Sequence, residues 1–313
     1  MSLEKTKNLE LISIDFLAAA GSHPGLRRQN NEDRFVLDAN YGFFLVVDGM
    51  GGHAGGEIAA QIAAETIQTA IRKIENSAEI RLHDSVILAN NGLCEKSLED
   101  ENLAGMGCVL TALLIEKETA YIAHVGDTRL YKIRDGEIKK LTTDHSPVGE
   151  LEENGDFSEI GLMRHPRRNE VSRCLGLNKV GFDESAFADV SETLFLPETA
   201  FLLCSDGLSD LLTAGKILEI IKANAASPAA VVGNLIAEAN NAGGKDNITV
   251  IFVAGDKFAA SFETTVDASP QKSSKTKNLA AFFFGRWAFL FYGLVFGGLL
   301  VLLYFYRFSS LFY

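Results

Sequence analysis

Four times in this chain an apolar run stops or starts beside an aspartate and a glycine. Phe43 to Val47 runs into Asp48-Gly49, Ala120 to Val125 into Gly126-Asp127, and Phe201 to Cys204 through Ser205 into Asp206-Gly207; Gly244-Lys245-Asp246 precedes Ile248 to Val253. One isolated Asp-Gly pair is an ordinary turn. Recurrence at the ends of short β-branched and aromatic runs is different, because adjacent strands of one sheet or sandwich bring such ends together. Clustered carboxylates cannot all stay ionised unless cations lie among them. The cations implied are hard, oxygen-loving divalents such as Mg²⁺ or Mn²⁺, since this set has none of the His or Cys that Zn²⁺ favours. Two such cations sharing Asp48 make water a nucleophile near neutral pH, which points to hydrolysis, most naturally of a phosphate ester.

With 313 residues, 47% of them hydrophobic, the chain can bury a large core. A net charge of −12 argues against a nucleic-acid backbone as the main ligand and disfavours a two-metal nuclease. Cys94, Cys108, Cys174 and Cys204 show no CxxC spacing and read as reduced thiols in a cytosolic domain. The opening residues lack the apolar stretch of an export signal.

The pattern predicts a strand over Leu9 to Leu17 and another over Arg34 to Leu37. Helices follow from Ala59 to Ile74 and from Ile80 to Ser97. Asp135-Gly136 between alternating runs predicts a hairpin and hence an antiparallel sheet. Residues 142–193 read as an irregular flap with one short helix over Asn169 to Leu175. Two more helices, Gly215 to Asn224 and Pro228 to Ala239, precede the last strand.

After the main domain, 1–255, residues 256–286 turn to Ser, Thr, Lys and Asp without periodicity and read as a linker. Residues 287–306 carry no charge and are long enough to cross about 30 Å of hydrocarbon as a helix. Trp287, Tyr304 and Tyr306 sit at its ends, and Lys272, Lys275, Lys277 and Arg286 outweigh Arg307 across it. The expectation is a single-pass transmembrane helix with the main domain cytoplasmic and only the tail, 307–313, across the bilayer.

The ordered set Arg28, Glu32-Asp33, Asp48-Gly49-Met50-Gly51-Gly52-His53, Val125-Gly126-Asp127-Thr128-Arg129, Ser205-Asp206-Gly207-Leu208 and Gly244-Lys245-Asp246-Asn247 resembles the metal-dependent Ser/Thr protein phosphatases of the type-2C family. Its glycine loop, with Leu141 to Ser146 and His165 to Asn169, is similar to the bacterial branch. The resemblance implies an α+β fold: an antiparallel β-sandwich flanked by α-helices on both faces. It implies that Asp48 bridges two Mn²⁺ or Mg²⁺ ions, helped by the Gly49 carbonyl. Asp206 and Asp246 would complete one site and Glu32 the other through water, with Asp127 and Asp210 holding a third, weaker ion. Arg28 would grip the substrate phosphate, and Asp33 and Asn247 would support the site.

The eukaryotic branch has a histidine where Met50 stands, and Glu159 to Met163 departs from the usual flap pattern. For Arg28 the plain alternative is a surface ion pair with Glu32, four residues on. The expected partners are phosphoserine and phosphothreonine proteins, a cognate Ser/Thr kinase and the lipid bilayer, with no nucleic acid. The competing expectation is a catalytically inactive, membrane-tethered module that binds phosphoproteins; the retained Asp48, Asp206 and Asp246 argue against it.

Overall fold

In this computed structural model the described residues are 9–12, 16–52, 55–155 and 157–263. The strands in chain order are β1 (Leu9–Ile12), β2 (Phe16–His23), β3 (Arg34–Asp38), β4 (Phe43–Met50), β5 (Gly107–Glu116), β6 (Thr119–Val125), β7 (Arg129–Arg134), β8 (Glu137–Lys140), β9 (Asp189–Leu194), β10 (Ala200–Cys204) and β11 (Ile248–Gly255). They form two antiparallel sheets, ordered β1-β2-β11-β10-β7-β8 and β3-β4-β5-β6-β9.

The period of two along each central strand divides the core into three layers. On β4, Phe44 and Val46 pack between the sheets, with Phe201 and Leu203 of β10 and Ile251 and Val253 of β11. Phe43, Leu45 and Val47 face the other way, onto helices α1 (Gly55–Lys73) and α2 (Ala78–Glu99). Leu202, Cys204, Val250 and Phe252 likewise face helices that cover the first sheet. The result is the expected α+β sandwich with helices on both outer faces. On α1 the buried positions Ala59, Ala60, Ala63, Ala64, Ile67, Ala70 and Ile71 make one stripe, and its alanines let the helix lie close to β4.

Between β8 and β9 the flap carries two short helices, α3 (Pro147–Glu153) and α4 (Glu159–Met163). The expected helix over Asn169 to Leu175 is absent; that segment is irregular and ends in a β-bridge of Leu175 with Cys108. Sequence cues for the real helices were present. Ser146 and Ser158 each cap a helix by accepting a backbone N–H three residues on, and Pro147 occupies the first turn.

Two further differences concern strands. The expected single strand Leu9 to Leu17 is the hairpin β1–β2, and β9 occupies the end of the stretch read as irregular, running one residue beyond it. The Asp135-Gly136 hairpin is as expected, with φ of 53° and 77° at the two turn residues.

Beyond β10 come the short helix α5 (Asp206–Ser209), then α6 (Ala214–Asn224) and α7 (Pro228–Asn241), which cover the first sheet. Helix α8 (Phe258–Glu263) falls inside the 256–286 stretch read as linker. Phe258 is buried, packed edge-on against Phe252 of β11 with ring centroids 5.8 Å apart. No helix among the described residues is long and apolar enough to cross a membrane. Residues 287–306 and 307–313, and also His53, lie outside the described residues.

Candidate active site

Strand direction brings the acids together. β4 and β6 lie either side of β5 and run parallel to each other, so Asp48 near the end of β4 and Asp127 just past β6 reach the same end of their sheet. β10 and β11 are antiparallel neighbours, so Asp206 after the first and Asp246 before the second also share an end. The four line one polar cleft of about 240 Å³ with Arg28, Glu32, Gly49, Met50, Asn247 and the flap residues Asn169 and Val171. Asp127 and Asp206 also face a tighter recess under the flap, which they share with Asp210, Arg168, Arg129 and Asp144. Asp33 turns inward instead, where its Oδ2 accepts the Ser205 hydroxyl at 2.8 Å.

The backbone is drawn in tightly around the acids. A Cβ on Gly49 would lie 2.0 Å from the Gly56 carbonyl oxygen, so only glycine lets β4 and the start of α1 approach this closely. Asn247 fastens the loop after β2: its Oδ1 accepts the Glu32 N–H at 2.8 Å, and its Nδ2 donates to the Pro24 and Asn30 carbonyls. Arg28 stands half-exposed at the rim, and its Nη2 donates to Asp246 Oδ2 at 2.7 Å. The expected alternative partner Glu32 is not the one it bonds, since the loop between them is not helical.

Burial and mutual repulsion dominate the electrostatics. Asp48 is held well above the usual carboxylate range by burial, then by Asp33, Asp206, Asp127 and Asp246. Asp206 is raised for the same reasons, with burial first and then Asp127 and Asp210. Asp127 is pushed up to about 7 by burial and Asp144, against the opposing pull of Arg129. Asp33 is pushed up to about 6, with burial outweighing its hydrogen bonds to Thr249 and Ser205. Asp144 shows the opposite balance. Although it is as deeply placed, bonds from Arg129 and Lys140 overcome burial and lower it.

These residues suit divalent cations. The buried Oδ1 of Asp206 finds no hydrogen-bond partner among the described residues, which is costly for a carboxylate and is relieved by a cation. No group of three or more His, Cys, Asp or Glu among the described residues is closed into a ready-made ligand set, and like-charge repulsion opposes such closure. Arg168 Nε donates to Asp210 Oδ2 at 2.8 Å and neutralises part of the recess. Arg129, Asp144 and Arg168 were not singled out from the sequence as site residues, although all three stand within the motifs quoted above.

The shifted acids give a pH dependence. A carboxyl whose folded pKa is raised stabilises the fold at low pH, and that contribution is lost as pH climbs from its unfolded value, about 3.9, to the folded value. For Asp33 and Asp127 the loss runs from about pH 4 to about 6 and about 7. Manganese ions should therefore raise the melting temperature more at about pH 7.5 than at about pH 5.5. Equal shifts at the two pH values would mean that Asp127, which lines the cleft, is not where the metal acts.

The profile of the protein phosphatase 2C family matches residues 26–248. The serine/threonine phosphatase stp of Listeria monocytogenes is 33% identical over 241 residues, which cover 74% of this chain and 93% of that protein. Among solved structures, the Mycobacterium tuberculosis serine/threonine phosphatase PstP/Ppp superposes with a TM-score of 0.69 at 31% identity, covering 77% of this chain and 99% of the other. The catalytic domain of PstP in complex with two manganese ions superposes with a TM-score of 0.66 at 30% identity, covering 77% and 98%. The chain belongs to the protein phosphatase 2C family of metal-dependent serine/threonine phosphatases.

Proposed function

We propose that this chain hydrolyses phosphoserine and phosphothreonine on proteins, and so reverses a Ser/Thr kinase near a membrane. The observation that carries the reading is the cluster Asp48, Asp127, Asp206 and Asp246 in one cleft, with Asp206 Oδ1 buried and unpartnered among the described residues. Glu32, Asp48, the Gly49 carbonyl, Asp206 and Asp246 would hold two Mn²⁺ or Mg²⁺ ions, and Asp127 and Asp210 a third, more weakly. When bound, such ions lower the pKa of water to near neutrality and offset charge on the phosphoryl oxygens.

The chain's own groups do the rest. Arg28 has the planar fork that matches two phosphate oxygens and sits at the rim, free to exchange Asp246 for a phosphate. Asn169 and Val171 roof the cleft from the flap, and Asn247 keeps Glu32 in register. Arg28→Ala should raise KM for a phosphopeptide by roughly tenfold or more, the worth of a charge-assisted bond. Arg28→Lys should recover only part of it, and an unchanged KM in Arg28→Ala would remove this residue from the site.

Membrane tethering rests on the uncharged stretch 287–306 and the basic residues before it. The test of the whole reading is phosphate release from a phosphopeptide by the chelator-treated protein with and without Mn²⁺, beside nucleotide and DNA substrates. Release that is Mn²⁺-dependent and confined to the phosphopeptide supports it. Tight phosphopeptide binding without release would favour the inactive binding module instead.

A further inference from the structure

His145 does not line the cleft, yet three segments meet on it. Its backbone N–H donates to the Gly126 carbonyl at 2.7 Å, and its Nδ1 accepts the Gly126 N–H at 3.0 Å, so one residue holds both polar groups of Gly126. The His145 carbonyl accepts the Ser172 N–H at 2.8 Å and closes the neck of the flap. Its Nε2 lies 3.0 Å from Asp189 Oδ2 on β9, and Arg173 Nη1 donates to the other oxygen of that carboxylate at 2.7 Å. The His124 ring packs beside it, centroids 4.9 Å apart.

A backbone N–H can only donate, so His145 Nδ1 carries the lone pair and Nε2 carries the proton, which goes to Asp189 Oδ2; Arg173 Nη1, 3.2 Å from Nε2, is itself only a donor and directs its hydrogen to Asp189 Oδ1 at 2.7 Å. Asp189 thus fixes the tautomer that lets Nδ1 receive Gly126. The turn has no slack on its other side. Gly126 has a φ of 106°, and a Cβ there would lie 2.1 Å from Val109 Cγ1, the residue paired with Asp48 across β4 and β5. Asp127 is the next residue, and its direction into the recess follows from how the Gly126 peptide is held.

We propose that His145 is a positioning residue: its Nδ1 lone pair holds the Gly126 turn so that Asp127 faces the cleft, and ties that turn to the closed neck of the flap. The inference rests on the proposed reading of Asp127 as a cation ligand. In His145→Asn the side-chain Oδ1 stands where Nδ1 stood, one bond from Cγ, and still accepts from Gly126, but the shorter side chain no longer reaches Asp189. His145→Leu keeps bulk and loses both bonds.

The test uses the full chain and two readouts, hydrogen exchange at the Gly126 amide on overlapping peptides and steady-state kinetics on a phosphopeptide with Mn²⁺. In His145→Leu, exchange at Gly126 should quicken and kcat fall by roughly tenfold or more, with KM held within about twofold, as misplacement of a reacting-site group predicts. In His145→Asn both should stay within about threefold of the parent protein, the acceptor being retained. Unchanged exchange in His145→Leu, or an equal fall of kcat in both variants, overturns the proposal. If His145→Leu does not fold, the Asn variant decides alone: protected Gly126 with near-parent kcat supports the assignment, and loss of either overturns it. Should His145→Leu lose protection but keep kcat, the link to Asp127 is overturned. Asp127→Asn, run alongside, then shows where the fault lies. Full turnover in that variant condemns the ligand reading itself, and lost turnover leaves that reading standing without the link.

Discussion

Asp206→Asn should lower turnover about a thousandfold, which corresponds to the several kcal/mol that a divalent cation contributes to transition-state charge. The substitution keeps shape and removes one charge. Burial, Asp127, Asp210, Asp246 and Asp33 all disfavour ionised Asp206, and its Oδ1 has no partner among the described residues. The same change should therefore raise the melting temperature of the metal-free protein near neutral pH while shrinking the further rise that Mn²⁺ produces. Two opposite movements from one variant separate a ligand from a structural acid, whose loss would lower stability and leave the response to Mn²⁺ intact. Activity within threefold of the parent protein at saturating Mn²⁺ would remove Asp206 from the metal site.

That trade of stability for a charged site explains why the acids could be read from the sequence. Asp48, Asp127 and Asp206 each stand beside glycine where an apolar strand ends, and Asp246, two residues after Gly244, stands just before one begins; both features are local. Strand period then does the assembling, since alternate residues of β4, β10 and β11 must face the other sheet. What was not legible depends on distant partners. The strand β9 alternates only weakly and is mostly exposed, so its polar run reads as loop until β6 supplies a partner. Arg28 bonds Asp246, 218 residues away, and no spacing rule reaches that far. His145 was visible only as part of the Leu141 to Ser146 motif, because the groups it joins come from β6, the flap neck and β9.

The expected effect of shortening the chain follows from α8. A protein ending at Gly255 stops where the composition changes, and the linker reading would leave it intact. It loses Phe258, which is buried against Phe252 and stacks edge-on with Phe262 at 5.1 Å. Removing a buried phenylalanine costs about 3–5 kcal/mol, a large share of the 5–15 kcal/mol typical of a folded domain. Ending at Gly255 should therefore give a protein that melts at much lower temperature, with Phe258→Ala in the full chain giving a similar loss. A protein ending at Glu263 keeps that packing. It should stay in the soluble fraction and turn over a free phosphopeptide as the full chain does, while the full chain goes with the membranes through 287–306. If the Gly255 end point melts with the Glu263 one, α8 adds nothing to the fold. If the Glu263 protein instead loses activity on the free peptide, residues beyond it belong to the folded enzyme, and the anchor reading of the C-terminal stretch fails with it.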